Sequence, residues 1–393
     1  MSAQHAAAAW TRWLERLGEL GTEVLGAPHP AEGDQVLDNL EHLADQVVAW
    51  TSWEVLHADP TRPFFQRHND LVTQWGGPNA DNVYRHARID ARHRYRIRGR
   101  MHGCDEFLMA LRAGFMHRDT WGTLATVTAS ERGIGRGDEF ELLLGGDDPD
   151  AIPIPEGAIM ASFREYYLDW RAEEPAVITI ECLDPEGPAS ADAALTDATL
   201  ARRIDEAAAE ITESVQRWND YMIEHRAERV DNSFDKQAHT VAKGLPMARY
   251  EFCFWDLAPD QALVIEADIP AARYWSAQLY MSGTFELVDP YGHITSRNHN
   301  QTVVSSDSRV RWVLSHRDPG VANWLDAAGR RNGLLTLRWF WPTGEAGMTP
   351  TTQVVALEDV AGTLPPDTIS VSAEERAAEL ASRQDHLRWR FRT

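Results

Sequence analysis

The side chains best suited to chemistry cluster between Arg297 and Pro342. Asn298-His299-Asn300 sets an imidazole between two amides. His299 titrates near neutrality in its ordinary state, which makes it a candidate general acid or base. Asn298 is a candidate to orient that ring or to donate to an oxyanion. Arg338, on the run Leu-Leu-Thr-Leu-Arg-Trp-Phe-Trp-Pro, is a candidate anchor for an anionic or carbonyl oxygen. The plainer reading is a loop histidine that serves structure.

Between these two groups lies Asp-Pro-Gly-Val-Ala-Asn-Trp-Leu-Asp-Ala-Ala-Gly, Asp318 to Gly329. Asp318-Pro319-Gly320 is turn chemistry: an acceptor side chain, a fixed φ, then a permissive glycine. Asn323 and Asp326 can cap local backbone, and Trp324 can plug an apolar gap. Turn formation explains these residues more simply than ligand contact. The functional reading lays the loop over a sheet mouth and offers Asn323, Trp324 and Asp326 to a ligand.

Other constellations are weaker. No serine stands in Gly-x-Ser-x-Gly and no cysteine carries a nucleophile signature. Cys104, Cys182 and Cys253 are far apart, and suggest neither a disulfide framework nor a zinc knuckle. His86, His93, His102 and His117, with Asp105, lie on neighbouring expected strands but lack metal-motif spacing, so no metal and no cofactor is expected. On Arg-Tyr-Arg-Ile-Arg-Gly-Arg, alternation puts Arg94, Arg96, Arg98 and Arg100 on one face. Arg98 is the ligand candidate of that row, against the blander pairing with acidic side chains. Gly133, Gly135 and Gly137 read as a loop between strands, not as a dinucleotide fingerprint.

Apolar spacing of three and four predicts helices over residues 3–25 and 34–56, and again over Asp197 to Arg229. From Val83 to Leu183 and again from Ala248 the period is two, which predicts strands. Ala-Arg-His at 91–93 suggests a hairpin between the first two of these. Pro185 to Asp192 reads as a linker, and Ser372 with Glu375 as the capping box of a last helix. The expected fold is α+β and mainly β. It divides into a helical region (1–75), a first β region (76–190), a long helix and linker (191–247), a jelly-roll or β-sandwich-like domain (248–371) and a C-terminal helix (372–393).

Three pieces together resemble a bacterial family. They are Gly-Gly-Pro-Asn-Ala-Asp-Asn-Val-Tyr (76–84) with Arg-Tyr-Arg-Ile-Arg-Gly-Arg, Phe-Arg-Glu-Tyr-Tyr-Leu-Asp-Trp (163–170), and the set Tyr-Trp-Ser-Ala-Gln-Leu-Tyr, Asn-His-Asn-Gln, Asp-Pro-Gly-Val-Ala-Asn-Trp-Leu-Asp and Leu-Leu-Thr-Leu-Arg-Trp. The last third of the chain is similar to the domain of unknown function DUF1214, whose relatives often carry DUF1254 as a companion. The resemblance implies a jelly-roll-like C-terminal β domain and no agreed activity. It also brings Asn79, Asp81 and Tyr84 into the candidate ligand site.

A net charge of −22 argues against nucleic-acid and anionic-lipid partners. Met1 to Trp13 shows no secretory pattern, and no apolar run approaches the ~20 residues that span a bilayer. A cytoplasmic location follows as an expectation. The 15 tryptophans suit a core or an aromatic pocket wall. The expected function is an enzyme or accessory protein acting on a small, largely apolar molecule, terpenoid-, sterol- or polyketide-like, with a His/Asn/Arg polar end to the pocket. The alternatives are a non-catalytic carbohydrate or small-molecule module, and a structural or homo-oligomeric assembly protein.

Overall fold

Period-two runs pair into four sheets, antiparallel except for one short edge pairing. The structure is a computed structural model and describes residues 3–29, 34–171, 174–186 and 194–391. The linker reading of Pro185 to Asp192 falls, from residue 187 on, outside the described residues. Among those described, no helix is long and apolar enough to cross a membrane.

The first β unit holds β1 (Gln66–Arg67), β2 (Asn82–Arg88), β3 (Tyr95–Arg100), β4 (Glu106–Gly114), β5 (Gly122–Thr128), β6 (Glu139–Leu144), β7 (Met160–Tyr166) and β8 (Val177–Cys182). They form a five-stranded sheet, β1-β2-β7-β4-β5, and a three-stranded sheet, β6-β3-β8. Val83, Ile97, Phe107, Met109, Phe140 and Phe163 fill the space between the two. The expected hairpin of β2 with β3 does not form. The strands join different sheets, because each has an apolar face that is buried from opposite sides of the same core.

The second unit holds β9 (Ala248–Asp256), β10 (Gln261–Asp268), β11 (Ala272–Tyr280), β12 (Ser296–Asn298), β13 (Arg309–Ser315), β14 (Trp324–Asp326), β15 (Asn332–Pro342) and β16 (Thr351–Ala356). Its sheets run β12-β11-β15-β9 and β14-β13-β10-β16, with Cys253, Trp255, Ile265, Trp312, Leu337 and Trp339 between them. The architecture is α+β, mainly β, built from open sheets.

The outer faces of β4-β7-β2 and β11-β15-β9 meet. Leu108, Ala110, Tyr166, Tyr274 and Phe340 make that contact. Strand alternation predicts Trp339 and Trp341 on one face of β15 and Arg338 and Phe340 on the other, and Trp339 and Phe340 do face opposite sides. Trp341 does not rejoin Trp339, since at φ 54° the strand turns and its ring packs on Tyr166, 4.9 Å between centroids.

Helices α1 (Gln4–Glu23), α2 (Asp34–Thr51) and α3 (Asp197–Ala227) cover one side, and α4 (Ala373–Arg390) closes another. α3 buries Ile204, Ile211, Val215, Trp218 and Met222 along the expected stripe. α4 starts at the Ser372–Glu375 capping box. α1 turns Trp13 and Leu20 inward but leaves Trp10 and Leu14 exposed. α2 departs from the expected apolar stripe Val36, Leu37, Leu40, Leu43, Val47 and Trp50 in its first half. Leu37 and Leu40 face out while Asp38, Asn39, His42 and Gln46 are buried, and Leu43, Val47 and Trp50 pack in the core as expected. The reason is polar pairing: His42 with Glu286, Gln46 with the Gln74 carbonyl at 2.7 Å, Asn39 with the Val24 carbonyl, and Asp38 with Arg330.

Candidate functional site

The loop Gly76–Asp81 enters the seam between the two β units. Gly76 and Gly77 take left-handed φ values of 66° and 65°, and a Cβ there would run into the rings of Trp218 and Phe285. This bend delivers Asn79 and Asp81 to the face of β11, where a buried hydrogen-bond network forms.

The Asp81 carboxylate is its centre. It accepts from Tyr274 OH at 2.6 Å, Asn298 Nδ2 at 2.7 Å and Trp170 Nε1 at 2.8 Å. The Asn79 side-chain oxygen accepts from Gln278 Nε2 at 2.7 Å and lies 3.0 Å from Tyr274 OH, and the Asn79 backbone amide donates to Tyr84 OH. Arg390 and Arg383, buried from α4, lie over the Trp170 ring at 4.7 and 4.1 Å. Burial pulls their guanidinium pKa values down to about 10 and about 9, and the Asp81 charge opposes that fall. The pieces that carried the family resemblance therefore meet in one place. Asp81 comes from the first, Trp170 from the second, Tyr274 and Asn298 from the third.

Next to this network lies a cavity of about 100 Å³. Alternation sends Tyr84 and His86 of β2, Arg112 of β4 and Arg164 of β7 to the outer face of the first unit. Tyr250 of β9 and Arg338 of β15, cross-strand partners, face them from the second unit. These six side chains line the cavity together with Trp75, Trp121, Trp218 and Met116. Arg338 donates to the Gly77 carbonyl at 3.2 Å and to Tyr280 OH, and lies over the Tyr250 ring. Arg164 lies over the Tyr84 ring at 5.5 Å.

None of the three guanidinium groups has a carboxylate partner among the described residues, and no acidic residue lines the cavity. Arg112 is buried and its Nε has no hydrogen-bond partner. Burial first, and the Arg164 charge second, pull its pKa down to about 9. Burial also raises the Tyr250 phenol, against the opposing pull of Arg338, Arg164 and Arg112 around it. Burial holds His86 well below its ordinary value, so the ring is neutral, with Nε2 3.0 Å from Ser162 Oγ. Such a site holds excess positive charge in a low-dielectric space.

The remaining candidates lie elsewhere. His299 is half-buried, its ring about 6 Å from Tyr274 and Trp275, and burial lowers its pKa. Its Nδ1 has no partner, and it joins neither the Asp81 network nor the cavity wall. Asn323, at φ 59°, holds the Val303 amide and carbonyl and the Arg311 carbonyl. Trp324 Nε1 donates to Ser315 Oγ, and Asp326 meets His293 Nδ1 and the Ala328 amide. Asp318 is held by Arg376 of α4. That loop spends its polar groups on the neighbouring segments at Val303, Arg311, Ser315 and His293, on its own Ala328 amide, and on α4.

Arg98 lies on the other sheet, exposed and paired with Glu141 and Glu181. His102 meets Glu174 and His117 meets Glu210, so the scattered histidines do not converge. Sequence reading missed Arg112, Arg164 and Tyr250. The available signal was one inward-facing arginine in each of two apolar strands.

Residues 256–344 match the family described as "Protein of unknown function (DUF1214)". The second β unit carries a DUF1214 domain. A search of curated proteins finds no match. The crystal structure of an uncharacterised protein from Burkholderia cenocepacia is similar in fold, with a TM-score of 0.81 at 24% identity, covering 91% of this chain and 100% of that one. A protein from Vibrio parahaemolyticus aligns at 14% identity and a TM-score of 0.46, over 81% of this chain and 100% of its own. The DUF1214 segment contributes Arg338, Tyr274 and Asn298 to the seam, whereas Asp81, Tyr84, Arg112 and Arg164 come from outside it.

Proposed function

We propose that the protein binds a small organic anion, a carboxylate above all, in the cavity between its two β units. The observation that carries this is three guanidinium groups converging on a space without any acidic partner. Arg112, Arg164 and Arg338 take the charged head, the Tyr250 and Tyr84 hydroxyls add neutral donors, and Trp75, Trp121 and Trp218 face the organic body. The polar end of the expected aromatic pocket is thus Arg/Tyr in composition, with Arg338 as its one member foreseen as an anchor. Asp81, Asn79 and Asn298 hold the walls in place rather than touch the ligand. The volume favours a compact head group over a sterol-sized molecule.

The test is native mass spectrometry of the freshly purified protein against its denatured mass, in wild type and Arg164→Gln. A small adduct on the wild type alone, or one acquired on adding benzoate, supports the reading. Equal adducts on both proteins count against it.

A further inference from the structure

The end of the three-stranded sheet carries a second cluster, on a different sheet from the cavity residues. β3 and β8 are antiparallel, with Tyr95 opposite Cys182. Continuing the ladder by two residues sets His93, just before β3, against Asp184, just after β8, and side chains two apart share a face. The chain is fastened at this point: Leu183 N donates to the Arg94 carbonyl and Arg94 N to Asp184 Oδ1, both at 2.8 Å.

We propose that His93, Cys182 and Asp184 form a zinc site. One ligand atom from each residue lies within 4.8 Å of the other two. Asp184 Oδ1 is 3.7 Å from His93 Nδ1 and 3.8 Å from Cys182 Sγ. Zinc bonds of about 2.0–2.3 Å give tetrahedral edges of about 3.3–3.6 Å, so the two edges from Asp184 close with shifts of a few tenths of an ångström. The edge between His93 and Cys182, within 4.8 Å, closes by rotation of the partly buried Cys182 side chain. Imidazole, thiolate and carboxylate together favour zinc over calcium or magnesium, which take oxygen alone.

His93 is completely buried, with Nδ1 3.0 Å from the Asp184 carbonyl oxygen. Coordination through Nδ1 replaces that hydrogen bond with the metal bond and moves the ring proton to Nε2, which has no hydrogen-bond partner. Cys182 and Asp184 are only partly buried, which leaves the fourth position open to water. Cys182 is a thiol in the metal-free protein, and binding releases its proton to solvent as the sulfur–metal bond forms. Arg94 Nε stands 3.5 Å from Asp184 Oδ2. That contact is long and exposed and orients the carboxylate more than it competes for it. Motif spacing could not reveal the set, because its members lie on two strands 89 residues apart (182 − 93).

The experiment uses the full-length, tag-free, reduced protein stripped with chelator and titrated with Co2+ as a spectroscopic stand-in for Zn2+. The expected result is one equivalent bound with a thiolate-to-cobalt band in the near ultraviolet, displaced by Zn2+. Cys182→Ser should abolish the band, Asp184→Asn should weaken binding by about tenfold or more, and Cys104→Ser should change neither. Cys182→Ser is nearly isosteric at a partly buried position, so its folding is secure where that of a His93 variant is not. No band, or a band that survives Cys182→Ser, overturns the proposal.

Discussion

Asn298 Nδ2 donates to Asp81 Oδ1 at 2.7 Å across 217 residues of chain. This bond joins the loop of the first β unit to an edge strand of the DUF1214 domain. Tyr274 and Trp170 add two more donors to the same carboxylate, so removing it strands three buried groups at once. Asp81→Ala should cost about 3 kcal/mol or more, read from urea unfolding. Asp81→Asn should cost less, because its remaining oxygen still accepts. Equal stability of Asp81→Ala and wild type would remove the network from the architecture.

Arg338 has a double role. It holds the Gly77 carbonyl and Tyr280 while it lines the cavity, so Arg338→Ala should lose both stability, by about 2 kcal/mol, and anion binding. Arg164 makes no such backbone contact. Arg164→Gln should lose binding with the melting temperature unchanged or higher, since one of three mutually repelling charges is gone. His299→Ala should leave anion binding intact.

A half-buried and a buried carboxyl group, Asp45 and Glu251, give stability a pH signature. Burial, reinforced by Glu286, raises Asp45 to about 7, and burial alone raises Glu251 to about 7. A carboxyl raised on folding binds its proton more tightly in the native state. Its contribution is therefore full below the unfolded value of about 4 and is lost as pH rises toward 7. The double variant Asp45→Asn, Glu251→Gln should gain in melting temperature relative to wild type between pH 5 and pH 8. A constant difference across that range would place both groups at ordinary values.

The loop after Pro319 serves as a structural clamp. Asn323→Ala gives up a left-handed residue suited to asparagine and three hydrogen bonds, and should cost about 1–2 kcal/mol without altering ligand affinity. Calorimetry of binding beside thermal unfolding separates the two effects.

The strands were legible because β3, β6 and β8 alternate between buried and more exposed positions. β2, β4, β7, β11 and β15 are instead strand-length runs bearing apolar and aromatic residues, buried on both faces. The capping box announced α4. The burial of α2 was legible only in its second half, at Leu43, Val47 and Trp50. Its inward face also carries Asp38, Asn39, His42 and Gln46, whose partners Glu286, Arg330 and Gln74 are distant in sequence, so Leu37 and Leu40 looked like the core. Asp81, Asn298 and Arg338 stood out singly, yet nothing local shows that Asp81 and Asn298 build a wall while Arg338 faces a cavity. Arg112 and Arg164 were invisible for a related reason: one arginine in a strand reads as a surface residue until the opposing sheet is in place. The row of arginines around Arg98 attracted notice because it is contiguous, and its charges are met by Glu141 and Glu181 on adjacent strands.

The anion site is tested most directly by calorimetric titration of the full chain with acetate, benzoate and inorganic phosphate, in wild type, Arg112→Met and Arg164→Gln. The expected result is saturable binding of at least one of these anions by the wild type, with a stoichiometry of one and an affinity reduced about tenfold or more in each variant. Absence of heat for all three anions, or affinities that the two substitutions leave unchanged, would contradict the assignment.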